Sequence, residues 1–355
     1  MLKVLVTKNN NYRIRIDSNI LENVGDLLNT VTESNQIFII SDENVANQYL
    51  EKLEMILYNS NYEISKFIIN GGEKNKSITT AFKIINAMIN MGIHRKASIL
   101  AFGGGVVTDL SGFIASIYMR GINYINIPTT LLSQVDASIG GKTAVNLPNC
   151  KNLIGSFYHP RLVVIDPSLL ASLSINEIRH GLAEIIKISI ICSENLFSNI
   201  ESNLGKILNK DIDILSDIVL KGIKLKIGLL KSDPYEVDLH RKLNFGHIIG
   251  HSIEVTENYA RYSHGEAISI GMMAETRYAY EKKICTKDTK DRIENLLLIS
   301  GLPTHYQLEN KEALIQSINK MKMIRGNSFN IVLPTKIGDC IIQNDVLIED
   351  LCKLL

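Results

Sequence analysis

The sequence predicts an α/β architecture with a mostly parallel sheet in its first half and a helical second half. Three observations carry this. Short apolar runs in the first half end in polar, glycine-bearing loops and alternate with helical stretches. From about Ser168 the pattern changes to long amphipathic runs with few strand signals until Phe329-Asn330-Ile331-Val332-Leu333. At 355 residues the chain is too long for one small core, so two domains are expected.

Composition narrows the function classes. The chain is 45% hydrophobic and 21% charged, with a formal net charge of +1. There is no basic field for nucleic acid and no acidic tail, so any anion binding must be local. The N-terminus lacks the apolar run and small-residue cleavage site of a signal peptide. No stretch approaches ~18 consecutive apolar residues, so no membrane span is expected. The five cysteines are scattered without a C-x-x-C pair. That fits a cytoplasmic, reducing setting and argues against both a disulfide framework and a thiolate zinc site.

In chain order, Arg13-Ile14-Arg15-Ile16 alternates like a strand and Asn19 to Leu28 reads as a helix. Gln36 to Ile40 is a buried-strand run ending in Ser41-Asp42-Glu43-Asn44. Lys66 to Asn70 repeats it and ends in Gly71-Gly72-Glu73-Lys74-Asn75-Lys76; Ser77 can cap a helix from Ile78 to Met91. Ala97 to Phe102 runs into Gly103-Gly104-Gly105-Val106-Val107-Thr108-Asp109, and Tyr124 to Pro128 ends in Thr129-Thr130. In parallel sheets, ligands sit at the carboxyl ends of the strands, where these loops lie. A glycine triplet between strand and helix lets backbone N–H groups approach a diphosphate, although it does not match G-x-G-x-x-G. Asp42 and Asn44 could hold ribose hydroxyls. Glu73 and Lys76 could do the same, or belong to a solvated loop.

From Ser133 to Gly155 the chain reads as an anion-binding loop. Gly141-Lys142-Thr143 resembles the end of a phosphate-binding Walker loop, but the glycine required five residues before Gly141 is Asp136, which excludes an ATPase. What remains is Lys142, Lys151 and Asn152 on glycine-softened backbone, suited to a phosphate or carboxylate. Farther on, Glu177 to Ile191 reads as a helix in which Glu184 and Lys187 share one face among Ala and Ile. A buried carboxylate and ammonium need a reason to be there, and a metal supplies one for Glu184. The helix Ile212 to Ser232 offers Lys221, Lys224, Lys226 and Lys231.

The stretch Arg241 to Ala267 holds the densest chemistry. His247 and His251 are four apart, on one helical face, with Asn244 three residues earlier on roughly the same face. His264 follows in a short loop before another apolar helical run. These imidazoles could hold a divalent metal through nitrogen, or cap and pack a helix.

Taken together, these motifs closely resemble the 3-dehydroquinate synthase family of the sugar phosphate cyclase superfamily. The match runs through Ser41-Asp42-Glu43-Asn44-Val45-Ala46, the glycine triplet with Asp109, Pro128-Thr129-Thr130-Leu131-Leu132, and Asp136 with Gly140-Gly141-Lys142-Thr143. It continues through Lys151-Asn152, Gly181 to Lys187, Leu243 to His251 and His264-Gly265-Glu266. The resemblance implies a Rossmann-like NAD-binding domain over residues 1–169, an all-α metal- and substrate-binding domain over residues 170–355, an active site in the cleft between them, and a homodimer. It makes Glu184, His247 and His264 the ligands of zinc or cobalt and removes His251 from that set. His251 would face the substrate phosphate with Lys142, Asn152, Asn244, Lys322 and, across the dimer, Arg120. Asp136, Lys151, Lys187 and Lys226 would contact the substrate's hydroxyls and carboxylate. Asp42, Asn44, Glu73, Lys76, Gly104, Gly105, Val106, Asp109, Thr129, Thr130, Ser172 and Leu173 would line the NAD site, bordered by Lys142 and Lys151.

The implied reaction turns 3-deoxy-D-arabino-heptulosonate 7-phosphate into 3-dehydroquinate and phosphate, with NAD reduced and reoxidised on the way. Three departures stand out, one of them the helix after Lys187, where Ile188-Ser189-Ile190-Ile191-Cys192 matches the family only loosely. The family's Gly-Leu-Arg is Asp238-Leu239-His240 here, with Arg241 next, so the substrate carboxylate falls to Arg241 or more heavily to Lys226. The family's Asp-Lys-Lys is Met321-Lys322-Met323. The alternatives are another sugar phosphate cyclase, or an NAD-dependent metal polyol dehydrogenase on the same scaffold.

Overall fold

The computed structural model describes residues 2–5, 11–147, 150–232, 239–307, 311–324, 330–344 and 346–355. The chain divides into two compact units, Met1–Leu173 and Ser174–Leu355. Among the described residues no helix is long and apolar enough to cross a membrane.

In the first unit, the apolar runs at Gln36–Asp42, Ser98–Gly103 and Asn123–Pro128 become strands buried on both faces. Strands β1 (Leu2–Leu5), β2 (Asn11–Ile16), β3 (Gln36–Asp42), β4 (Glu63–Ile69), β5 (Ser98–Gly103) and β6 (Asn123–Pro128) come first in the chain. Next come β7 (Lys142–Leu147), β8 (Cys150–Phe157) and β9 (Leu162–Ile165). One seven-stranded sheet has the order β1-β2-β9-β6-β5-β3-β4. Its pairings are parallel except for β1 on β2 at one edge.

The period of two decides which side chain meets which layer. Phe38 and Ile40 pack with Ile84, Met88 and Ile114, whereas Ile37 and Ile39 pack with Leu28, Leu53 and Leu57. All four strand residues are fully buried. Helices therefore cover both faces, as a mostly parallel sheet requires.

The topology also fixes where a ligand can sit. From β3 the chain steps outward to β4, then returns to β5 on the other side of β3 and continues outward to β6 and β9. The switch point lies between the carboxyl ends of β3 and β5. Asp42 ends one strand and Gly103 the other.

Three expectations need correction. The segment Ser133 to Gly155 is not a loop: β7 and β8 pair as an antiparallel hairpin. The helix expected from Asn19 is a short 3-10 turn, Ile20–Asn23, followed by the helix Val24–Asn29. The break comes from a long-range contact, since Asn19 takes a left-handed backbone and its N–H is held by the buried Asp166 carboxylate, 147 residues away.

Among its described residues the second unit is helical, with one two-stranded hairpin of β10 (Asn330–Lys336) and β11 (Asp339–Asn344). The helix Ile175–Cys192 opens with a capping box in which Ser174 and Glu177 satisfy each other's backbone N–H. The third correction concerns His264, expected in a loop. It is the first residue of the helix His264–Glu281, placed there by a second capping box between Ser263 and Glu266. The core of this unit gathers Ile249, Ile253, Ile270, Ala274, Leu314 and Leu333 from two histidine-bearing helices, a third helix and the hairpin.

Candidate active site

In the second unit, a carboxylate and two imidazoles converge. Glu184 Oε1 lies 3.3 Å from His247 Nε2 and 3.3 Å from His264 Nε2. Its other oxygen takes the Lys187 ammonium at 2.5 Å, with both side chains almost fully buried. Burial alone would raise the Glu184 carboxyl, but Lys187 and the two histidines drive it well below the ordinary value, so it stands ionised. Burial, with Lys187 adding to it, lowers His247 and keeps its ring neutral.

The second nitrogen of each ring settles what the first can do. His247 Nδ1 is 3.0 Å from the Phe245 carbonyl, an acceptor only, so Nδ1 carries the proton and Nε2 presents a lone pair. His264 Nδ1 is 3.3 Å from Glu254 Oε2, which likewise accepts. Two lone pairs therefore face one carboxylate oxygen. Such an arrangement is repulsive unless a positive centre sits among them. Tetrahedral zinc with bonds of about 2.0–2.1 Å separates its ligand atoms by about 3.3–3.4 Å, which matches both observed separations. One carboxylate and two neutral imidazoles are donors that suit zinc or cobalt. His247, His251 and His264 form an overlapping group whose donor atoms lie within 4.8 Å of one another. Glu184, with its tighter spacing and its negative charge, fits better than His251.

The turn that delivers His247 is built for close packing. Asn244 was expected on the helix of His247, but it ends a 3-10 segment, Leu239–Asn244, and the helix His247–Thr256 starts after Gly246. Gly246 has φ +75°, and the helix His264–Glu281 crosses so near that a Cβ on Gly271 would lie 2.0 Å from the Gly246 carbonyl. Fully buried Glu275 accepts the Gly246 N–H at 3.0 Å, and its other oxygen has no partner among the described residues. Burial pushes that carboxyl well above its ordinary value.

Other expected residues of this unit are Lys226, buried on the helix Ile212–Ser232, and Lys322, half-buried on the helix Lys311–Ile324. Asp238 and the side chains of His240, Arg241 and Met321 lie outside the described residues.

In the first unit, the expected nucleotide residues gather at the carboxyl ends of the strands. Asp42 caps the turn after β3 by accepting from Asn44 N and Val45 N. The helix Gly105–Ile117 starts at the glycine triplet. A Cβ on Gly103 would lie 2.6 Å from Val107, and one on Gly104 3.1 Å from Thr130. Gly103 has no room for a side chain and Gly104 has little, and the N–H groups of Gly105 and Val106 open the helix. Thr129 N bonds Gly103 O, joining the ends of β5 and β6.

Lys76 is buried and donates to both Asp109 and Asn152. Burial raises the Asp109 carboxyl while the Lys76 ammonium works against it. Lys151 Nζ is 3.9 Å from Glu73. Asp136 is half-buried and raises Asp109 further by its charge. Lys142 is exposed at the start of β7. Leu173 is buried, whereas Ser172 is exposed and bonds Leu169 O. Arg120 is exposed, with φ +66°.

Sequence reasoning missed three residues. Asn146 donates to Glu73 Oε1 at 2.8 Å and accepts from Asn152 N at 3.1 Å, so it ties the loop after β4 to the β7–β8 hairpin. No local pattern marks it. Glu254 had a signal: with His247 and His251 it completes an i, i+4, i+7 face. Glu275 sits in an apolar helix with no such mark.

The family model described as 3-dehydroquinate synthase N-terminal matches residues 66–180, and that described as 3-dehydroquinate synthase C-terminal matches residues 181–323. The 3-dehydroquinate synthase of Caldanaerobacter subterraneus subsp. tengcongensis is 41% identical over 352 residues, 99% of each chain. Among solved structures, the 2-epi-5-epi-valiolone synthase of Streptomyces hygroscopicus, with NAD+ and Zn2+ bound, superposes with a TM-score of 0.90 at 28% identity, covering 97% of this chain and 96% of that one. A 2-deoxy-scyllo-inosose synthase complexed with carbaglucose-6-phosphate, NAD+ and Co2+ shares the fold, with a TM-score of 0.89 at 24% identity over 99% and 98% of the two chains.

Glu275 ties stability to pH. Because its folded-state carboxyl is raised above the ordinary 4.5, the native state holds a proton that the unfolded chain releases, so stability falls as pH rises through that value and above it. Glu275→Gln removes that titration while keeping an acceptor for Gly246 N–H. Thermal melts across pH 5 to 9 should show the variant gaining on the parent as pH rises; parallel curves would refute it.

Proposed function

This chain belongs to the 3-dehydroquinate synthase family, and on that premise we propose how its residues divide the work. The activity is that of a carbon–oxygen lyase of the shikimate pathway, which leads to chorismate and the aromatic amino acids. It converts 3-deoxy-D-arabino-heptulosonate 7-phosphate to 3-dehydroquinate and phosphate through transient oxidation, phosphate β-elimination, re-reduction, ring opening and intramolecular aldol closure. NAD and Zn2+ or Co2+ are the cofactors. When bound, NAD supplies a reversible hydride acceptor and the cation polarises the oxygen being oxidised.

In this reading Glu184, His247 and His264 hold the cation. The carrying observation is the shared 3.3 Å approach of Glu184 Oε1 to the two Nε2 atoms. Lys187 keeps Glu184 ionised and, with Asp136, Lys151 and Lys226, orients the hydroxyls and carboxylate of the substrate. Lys142, Asn152, Asn244, His251 and Lys322 hold the phosphate as it leaves. These cationic and amide donors fit an anionic leaving group and have no use on a neutral polyol. Asp42, Asn44, Glu73 and Lys76 hold ribose hydroxyls. The N–H groups of Gly104, Gly105 and Val106 take the diphosphate at the start of their helix, with Asp109, Thr129, Thr130, Ser172 and Leu173 completing the nucleotide site beside Lys142 and Lys151.

Arg120 serves a second protomer of a homodimer, in a cytoplasmic enzyme. The exposed apolar side chains Ile117, Met119, Leu153, Ile154 and Phe157 support such a contact. Light scattering should return twice the monomer mass; a monomer would remove Arg120 from the site.

The direct test is incubation with the heptulosonate phosphate, zinc and substoichiometric NAD. Phosphate should appear in many-fold excess over NAD with no lasting NADH absorbance. Accumulating NADH would instead identify a dehydrogenase. Glu184→Gln should lose bound metal and turnover together, activity falling at least 100-fold on the scale of lost metal ligation. Retention of both would overturn the ligand assignment.

A further inference from the structure

We propose that Glu254 is a positioning residue of the cation site, acting through His264. The proposal rests on the ligand set proposed above. Glu254 is 3% exposed and sits on the helix His247–Thr256, on the same face as His247 and His251. Its Oε2 lies 3.3 Å from His264 Nδ1 and 4.0 Å from His251 Nε2. The carboxylate thus stands behind His264, on the side of the ring opposite Glu184.

That placement does three things. It takes the Nδ1–H of His264, which fixes the tautomer with Nε2 bare toward Glu184. It pins the ring plane, because His264 begins its helix and would otherwise swing on a terminal turn. It also makes the Nε2 lone pair more basic, as an anionic partner does for any ligating imidazole. His247 obtains its own tautomer from the Phe245 carbonyl, a neutral partner. The site therefore pairs one neutral and one anionic support behind its two imidazoles. His251 Nε2, 4.0 Å from the same carboxylate, lies beyond hydrogen-bond distance, so the support goes to His264.

The test measures metal directly. Zinc affinity of the metal-stripped full chain is read by competition with a chromophoric chelator, and the cobalt form is read by its visible ligand-field spectrum. Glu254→Gln and Glu254→Ala should bind zinc about 10- to 100-fold more weakly than the parent, with an altered cobalt spectrum. Glu254→Asp should recover part of the loss. Melting of the metal-free forms and NAD binding should stay near the parent's. In a His264→Ala background, Glu254→Gln should change zinc affinity no further, since its effect passes through that ring. Undiminished zinc affinity with an unchanged cobalt spectrum, or a full additional loss in the His264→Ala background, would overturn the proposal. A variant that fails to fold leaves the His264→Ala cycle with Glu254→Asp to decide the same point. A parent chain that binds no zinc would sink the ligand set itself, a different result.

Discussion

Electrostatic repulsion at one point governs the second unit. An ionised carboxylate and two neutral imidazole nitrogens present lone pairs to one another across 3.3 Å. Nothing within that trio relieves the conflict. Lys187 balances the far oxygen of Glu184, the Phe245 carbonyl and Glu254 hold the far nitrogens of the rings, and the near atoms are left for a cation. Each surrounding feature can be read as a consequence. The capping box at Ser263 starts a helix at His264, and the left-handed Gly246 starts another at His247. The crossing of these helices at Gly246 and Gly271 holds the two starts together.

The first unit obeys a different constraint. A parallel sheet buried on both faces offers polar backbone only at its strand ends, and its order reverses between β3 and β5. Glycine occupies the end of β5 because side chains from Val107 and Thr130 already fill the space where a Cβ would stand. Around that crevice Lys76, Asp109, Glu73, Asn146 and Asn152 form a connected polar network. A buried lysine is tolerable there because Asp109 and Asn152 both accept from it. The same network joins residues proposed for the nucleotide to residues proposed for the substrate phosphate.

Much of the fold was legible because its signals are local. The runs at Gln36–Asp42, Ser98–Gly103 and Asn123–Pro128 are buried strands whose apolar stretches carry their own length limits. The Ser77 cap lay where serine after a polar loop predicts it. The errors came where a short-range rule met a long-range contact. Ser133 to Gly155 looks like a loop by its glycines, yet β7 and β8 find each other across it. Asn244 fits the period of the His247 helix, yet Gly246 turns the chain between them because another helix needs that space.

By itself the sequence determined which chemistry was available. It placed Glu184 beside Lys187, His247 four before His251, and lysines on glycine-rich backbone, since residue type and helical spacing are written in the chain. Only the tertiary structure decided which of those groups meet. Glu184 and His264 are separated by 80 residues, and no periodicity links them. Their approach, the support of Glu254 and the burial of Glu275 beneath Gly246 arise from helix packing, which depends on volumes brought together from distant parts of the chain.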